Sequence, residues 1–185
     1  MQTNILWKGL EYHSLENCVL TEIKSGWSIN STIVGAYNKK IYKVEYVIKA
    51  NDKWETIYLN LTTELAGSKQ EFIFLGDGNG NWINNGIPIP EFEGCVDVDI
   101  SLTPFTNSLP IKRLLWETNK SRQIKVLFVD VLGGAVIPVQ QRYTKLSNAE
   151  FRFENVPNDF EAVITVDDLG LVLNYPELFI QTDRQ

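Results

Sequence analysis

The chain is poor in the side chains that bind metals or assist nucleophiles: its 185 residues include one His, two Cys and one Met. A structural zinc site usually takes four Cys or His ligands, so the sequence excludes one. A Ser or Cys nucleophile usually needs an adjacent base, and His13 is the single imidazole. We therefore expect no metal, no cofactor and no enzyme activity, with Cys18 and Cys95 as reduced thiols.

Positive charge is also scarce. The chain has 17 Lys plus Arg against 23 Asp plus Glu, and its formal net charge is -6. Nucleic-acid binding depends on clustered Lys and Arg, whereas Lys39-Lys40 and Lys112-Arg113 are only pairs along the sequence. We expect no nucleic-acid partner.

Long apolar segments are absent as well. The longest apolar stretch, residues 126–139, is interrupted by Asp130, two glycines and Pro138. A membrane-spanning helix needs roughly 20 residues, so the sequence predicts no transmembrane segment. The first residues lack the basic start and apolar stretch of a secretory signal, which predicts a cytoplasmic protein.

What the sequence does contain is repeated period-two alternation of apolar and polar residues, which is typical of β-strands. Asp-Gly and Asn-Gly within residues 76–81 predict a hairpin tip. The predicted strands are residues 41–48, 54–61, 71–75, 96–102, 111–117, 124–131, 135–142, 150–154, 161–166 and 171–173. We predict one all-β domain over residues 1–185, in which a strongly curved antiparallel sheet forms a barrel, half-barrel or roll around an apolar interior. A two-sheet sandwich is the alternative.

Four local expectations follow from the same patterns. Strict alternation over residues 96–102 predicts a strand with one buried and one exposed face. Pro104 and Pro110 are expected to exclude a continuous helix between them, which leaves a loop or an edge strand. Residues 111–117 are then expected to form a strand. Near the N-terminus, residues 15–23 are compatible with a short helix.

Asp97 and Asp99 are the most interesting acidic pair, because residues two apart on a strand share a face with Cα atoms about 6.5 Å apart. Inverting glycosidases separate their two carboxylates by roughly 6.5 to 9.5 Å, so a glycoside hydrolase using this pair is one hypothesis. A solvated face or a structural salt bridge is the more frequent cause of such a pair. Lys112, Arg113 or Arg142 would then neutralise the aspartates and lower their pKa values.

The run from Gly94 to Leu114 resembles the signature of a bacterial family described as "putative glycolipid-binding", formerly a domain of unknown function. The spacing to residues 141–143 and 166–176 also fits, as do residues 7–11 and Trp54. The resemblance therefore covers nearly the whole chain. Its departures are Lys112 in place of an expected Arg, and Leu169 and Asn174 where acidic residues are common.

The resemblance implies a single β domain whose sheet coils around an apolar interior, similar in outline to bacterial carriers of lipoproteins and glycolipids. No catalytic residue is carried over. The function that it implies is non-enzymatic binding of an amphipathic ligand such as a glycolipid, with acyl groups inside the sheet and the polar head at the rim.

Such a site needs an apolar cavity of about 300 to 1,000 Å³ with a few polar groups. The candidate polar ligands and wall residues are Asp97, Asp99, Thr103, Asn107, Arg113, Arg142, Tyr143 and Tyr175. The alternative to a ligand site is a structural role for the signature. In that case Gly94 permits a close approach, Thr106 and Asn107 cap the proline loop, and the aspartates bond neighbouring backbone.

Overall fold

The computed structural model describes residues 1–185 and consists almost entirely of β-strands. A 3₁₀-helix covers Pro90–Phe92, and the one α-helix, α1, covers Phe105–Arg113. Neither helix has the length and hydropathy that a membrane-spanning segment needs. The strands are β1 (Gln2–Gly9), β2 (Ser14–Ile23), β3 (Gly26–Tyr37), β4 (Lys40–Ala50), β5 (Thr56–Leu65), β6 (Ser68–Gly76), β7 (Trp82–Asn84), β8 (Ile87–Pro88), β9 (Cys95–Ile100), β10 (Ser121–Asp130), β11 (Ala135–Lys145), β12 (Glu150–Val156), β13 (Glu161–Val166), β14 (Val172–Tyr175) and β15 (Phe179–Arg184).

All strands belong to one sheet in the order β8-β7-β6-β5-β4-β3-β2-β1-β15-β14-β13-β12-β11-β10-β9. The sheet is curved but does not close, which confirms the predicted all-β half-barrel or roll. It is antiparallel throughout, apart from the parallel pair β9–β10. A parallel pair needs a crossover connection, and here α1 lies within it.

The β6–β7 turn approaches β9 closely, although the two segments are not adjacent in the sheet order. The indole nitrogen of Trp82 donates to the Cys95 carbonyl at 2.7 Å, and the Gly94 amide donates to the Gly80 carbonyl at 3.0 Å. A Cβ on Gly80 would lie 2.8 Å from the Gly94 Cα, and both glycines have positive φ, +89° and +85°. Only glycine permits this approach.

Strand β9 is covered on both faces, so the expectation of one exposed face was wrong. Val98 and Ile100 belong to the larger apolar core, together with residues of β1 to β6. Asp97, on the opposite face, is also completely buried. It is buried because α1 packs against β9 and its Arg113 binds Asp97, and alternation along one strand does not reveal such a covering element.

Residues 105–113 form a helix, so the predicted loop or edge and the predicted strand over residues 111–117 were wrong. Pro104 precedes the first helical residue, where an amide hydrogen would have no helical partner. Pro110 removes only one i→i−4 bond. Every side chain from Phe105 to Ile111 is buried. The stabilisation from burying these side chains outweighs the cost of placing prolines at and within the helix.

The N-terminal third is strand rather than helix, which also corrects the expectation for residues 15–23. In β2 the buried positions alternate as Ser14, Glu16, Cys18 and Leu20. Because two of these four are polar, the period of two is hard to see in the sequence. The total is fifteen strands, compared with the ten predicted.

Several turns meet at one end of the sheet, which we call the mouth end and define by residues 10–13, 101–104, 157–160 and 176–178. The registers bring these turns together: Gly9 lies opposite both Ser14 and Phe179, and β9 runs parallel to β10. A cavity opens between these turns at the mouth end.

The burial of α1 generates the first prediction. Phe105→Ala removes a completely buried ring from the larger core and should lower the free energy of unfolding by about 3 to 5 kcal/mol. Leu115→Ala, at a position 87% exposed just after the helix, should change it by less than about 0.5 kcal/mol. Urea denaturation measures both. A loss below about 1 kcal/mol for Phe105→Ala would contradict the role of α1 as core.

Candidate functional site

Asp97 is ion-paired inside the protein. The Arg113 guanidinium donates to it through Nε at 3.1 Å and through Nη2 at 2.6 Å. The Asp97 side chain has no exposed surface, and burial raises its pKa even though Arg113 acts to lower it. The arginine does neutralise this aspartate as expected, but the predicted fall in pKa does not occur, because desolvation is the larger effect.

Asp99 has a different environment from its neighbour. Its Oδ1 accepts from the Thr106 hydroxyl at 3.0 Å, and its Oδ2 accepts from the Gln141 amide at 2.6 Å. None of the ion pairs in the protein includes Asp99. Burial raises its pKa as well, against the lowering effect of Gln141 and Thr106.

Asp99 lies in the wall of a cavity of about 270 Å³ at the mouth end. Six aromatic side chains form most of the apolar lining. They are Tyr12, Phe128, Phe153, Phe160, Tyr175 and Phe179. The remaining lining residues are Glu11, Asp99, Ile100, Ser101, Thr103, Asn107, Asn155 and Leu178. A neighbouring cavity of about 250 Å³ shares Asp99, Phe128 and Asn155, so Asp99 is reached from two sides.

The aromatic rings form a continuous wall. Tyr12 stacks on Phe179 at 6.1 Å between ring centroids, and Phe179 contacts Tyr175 at 6.2 Å. Phe153, Phe160 and Tyr175 form a triangle with centroid separations of 6.1, 6.1 and 6.2 Å. Residues from β12, β14, β15 and the turns between strands thus present one apolar surface.

The eight residues predicted from the sequence fall into three groups. Asp99, Thr103, Asn107 and Tyr175 line the cavity. Asp97, Arg113 and Tyr143 lie outside the lining, although the Tyr143 hydroxyl accepts from the Asn107 amide at 2.8 Å. Arg142 is 3.6 Å from Glu154 and is not brought to the cavity.

Glu16 is a buried carboxyl that the sequence reasoning missed. Its Oε1 accepts from the hydroxyls of Ser31 at 2.7 Å, Tyr46 at 2.7 Å and Thr103 at 2.9 Å. Its Oε2 is buried without a hydrogen-bond partner, and burial raises the pKa of Glu16 to about 7. Through Thr103 it adjoins the cavity wall. The sequence carries no clear signal for it, because Ser14 and Glu16 are polar residues at buried positions of β2.

Two other depressions differ in lining. One of about 410 Å³ lies on the outer face of β2 to β5 among Asn17, Asn30 and Asn60. Another, of about 600 Å³, lies around Lys40 and Lys69 at the strand turns. Polar residues predominate in both, whereas eight of the fourteen residues around the mouth-end cavity are hydrophobic. A mostly apolar concave surface with a few converging polar groups is typical of small-molecule sites.

Comparisons with known proteins give a consistent result. The family model described as "putative glycolipid-binding" matches residues 4–181. A crystal structure of a DUF1089 family protein from Pseudomonas aeruginosa is similar, with a TM-score of 0.84 and 28% identity over 91% of this chain and 92% of that one. No curated protein matches the chain.

The contrast between the two predicted arginines can be tested. Arg113→Met leaves Asp97 buried without its cation and should lower the free energy of unfolding by about 3 to 5 kcal/mol. Arg142→Met is the matched control, because its partly exposed ion pair with Glu154 should contribute only about 0 to 1 kcal/mol. Chemical denaturation at pH 7 measures both, and equal losses would contradict a special role for the buried pair.

Glu16 should make stability depend on pH. Its carboxyl has an ordinary pKa of 4.5 and a pKa of about 7 in the folded protein, so the folded state keeps a proton that the unfolded chain releases between these values. The contribution of Glu16 to the free energy of unfolding therefore falls by about 3 kcal/mol in total as the pH rises from 4.5 to about 7.

Glu16→Gln removes this titration and keeps a side chain of similar shape. Relative to the unchanged protein, we expect the variant to gain about 3 kcal/mol of stability between pH 4.5 and pH 8. Glu45→Gln, at an exposed position on β4, is the control. Urea denaturation across this pH range gives the difference, and a constant difference for Glu16→Gln would refute the assignment.

Proposed function

The chain belongs to the "putative glycolipid-binding" family, and on this membership and the mouth-end cavity we propose that it binds an amphipathic ligand without transforming it. The observation that carries the proposal is the juxtaposition of a continuous aromatic wall with Asp99 in one cavity. An apolar part of a ligand would contact the rings. Its polar group would meet Asp99, Asn107 and Thr103.

The volume of the cavity limits what it can enclose. At about 270 Å³ it lies just below the range of about 300 to 1,000 Å³ usual for ligand pockets. Around it, the side chains of the two apolar cores and of α1 are buried. The enclosed part of a ligand is thus a ring system or a short chain, and longer acyl chains would extend past the mouth end. More specifically, we propose that the ligand is a glycolipid held in this way.

The environment of the two aspartates supports binding over glycoside hydrolysis. A hydrolase using Asp97 and Asp99 requires both carboxylates to reach the substrate. Asp97 has no exposed surface and is held by Arg113, whereas Asp99 alone of the pair lines the cavity. Turnover of any substrate in a broad glycoside panel, lost in Asp97→Asn, would favour the hydrolase.

Ligand binding can be measured in two ways. Lipids extracted from the purified protein and identified by mass spectrometry should include amphiphiles that are absent from a control protein purified in parallel. The neutral fluorescent probe N-phenyl-1-naphthylamine should bind the unchanged protein and be displaced by these amphiphiles.

Phe160→Ala removes a ring at the opening of the cavity and should weaken probe binding about 2- to 10-fold, because one aromatic contact contributes about 0.5 to 1.5 kcal/mol. Leu115→Ala, exposed and outside the lining, should leave it unchanged. Equal affinities of the two variants, together with recovery of no amphiphile, would refute the proposed function.

A further inference from the structure

We propose that the polar group of the ligand is positively charged, so that the cavity selects amphiphiles carrying an amine or a quaternary ammonium group. This inference rests on the proposed function and adds the chemical class of the ligand. Three observations carry it: an aspartate without a cation, a lining without basic residues, and a cluster of aromatic rings.

The first observation is the difference between two aspartates on the same face of β9. Asp97 has the Arg113 guanidinium at 2.6 Å. Asp99, two residues along, has only the neutral donors Thr106 and Gln141. Largely buried carboxylates are normally paired with a cation, and Asp99 faces the cavity, so the missing cation would come from the ligand.

The second observation is the charge of the lining. Its two ionisable carboxylates are Glu11 and Asp99, and none of the fourteen lining residues is Lys or Arg. The nearby arginines are engaged elsewhere, Arg113 with Asp97 and Arg142 with Glu154. An anionic head group would therefore enter a site of its own charge without a compensating cation, which is costly in a partly desolvated cavity.

The third observation is the triangle of Phe153, Phe160 and Tyr175, whose ring centroids are 6.1 to 6.2 Å apart. The planes of these rings are tilted to one another by 44° to 62°. Cations within about 6 Å of a ring centroid are attracted to its face, and groups of rings are used to recognise quaternary ammonium ligands. This triangle borders the same cavity as Asp99.

The hydrogen-bonding groups around Asp99 favour a cation over a neutral sugar. A sugar hydroxyl both donates and accepts, so it is best matched by a mixture of protein donors and acceptors. Here the Asn107 amide already donates to Tyr143, the Thr103 hydroxyl to Glu16 and the Gln141 amide to Asp99. The Asp99 carboxylate, which has no cation bound, keeps acceptor capacity toward the cavity, and this suits a donor or a cation.

The test compares three amphiphiles with the same twelve-carbon chain: dodecyltrimethylammonium, dodecyl maltoside and dodecanoate, each below its critical micelle concentration. Isothermal titration calorimetry on the full chain, with circular dichroism to verify folding, measures their affinities. We expect the ammonium compound to bind at least tenfold more tightly than either of the others. Tightest binding of the maltoside or of dodecanoate would overturn the inference.

Asp99→Asn keeps an acceptor for Thr106 and removes the charge. It should weaken binding of the ammonium compound about tenfold and change that of the maltoside less than about twofold. Asp52→Asn, at an exposed position in the β4–β5 turn, controls for net charge and should change neither. An unaltered ammonium preference in Asp99→Asn would overturn the inference.

The two proposals fail in different ways. If none of the three compounds binds, this inference is refuted; if the purified protein also yields no amphiphile and binds no probe, the proposed function fails with it. If all three bind with equal affinity, the binding function stands and the charge preference is refuted. The head-group comparison uses the unchanged protein, so it decides the inference even if Asp99→Asn folds poorly.

Discussion

The ion pair between Asp97 and Arg113 joins β9 to the end of α1 inside the protein, and α1 contributes side chains to both apolar cores. Removing two charges from water is costly, so the pair is stable only with close, well-satisfied geometry. The two guanidinium hydrogen bonds to Asp97 supply that geometry. They place α1 with Phe105 in the larger core and Ile111 in the smaller one, so that one helix fills space in both.

A second set of polar contacts holds the segment between β9 and α1. The Thr103 hydroxyl accepts from the Phe105 amide and donates to Glu16, while the Thr106 hydroxyl accepts from the Ile100 amide and donates to Asp99. The same residues that anchor the helix therefore position the polar wall of the cavity. A structural and a binding role for the 94–114 signature are compatible, because the contacts that hold it also orient Asp99.

The fold was predictable from the sequence wherever buried positions are apolar. In β4 the buried residues include Tyr42, Val44 and Tyr46, and the alternation is visible. In β2 the buried Ser14 and Glu16 are polar and owe their burial to partners on other strands, so the sequence does not show the pattern. The helix was missed because local proline signals disfavour it, and only packing on both cores outweighs them.

For the site, the sequence identified Asp99, Thr103 and Asn107 because they lie in one short run. Of the aromatic wall it identified Tyr175 but not Tyr12 and Phe160, which come from turns almost 150 residues apart in the chain. From the sequence alone, Asp97 and Asp99 are equivalent candidates. What separates them is whether a distant side chain, Arg113 or Gln141, reaches each carboxylate. That depends on the crossing of α1 and the register of β11, neither of which is encoded by neighbours in sequence.

The small cavity and the long chains of a typical lipid can be reconciled by partial enclosure. Burying each CH₂ group contributes about 0.8 kcal/mol, so even a short enclosed segment contributes to affinity. A chain that continues outside would pass Leu10 and Phe160, which are 39% and 37% exposed. The enclosed polar group would then provide selectivity, because Asp99 is fixed by Thr106 and Gln141 and cannot turn away from an unsuitable head group. In the proposed arrangement the group at Asp99 would set the selectivity, and variation in the chain would be tolerated.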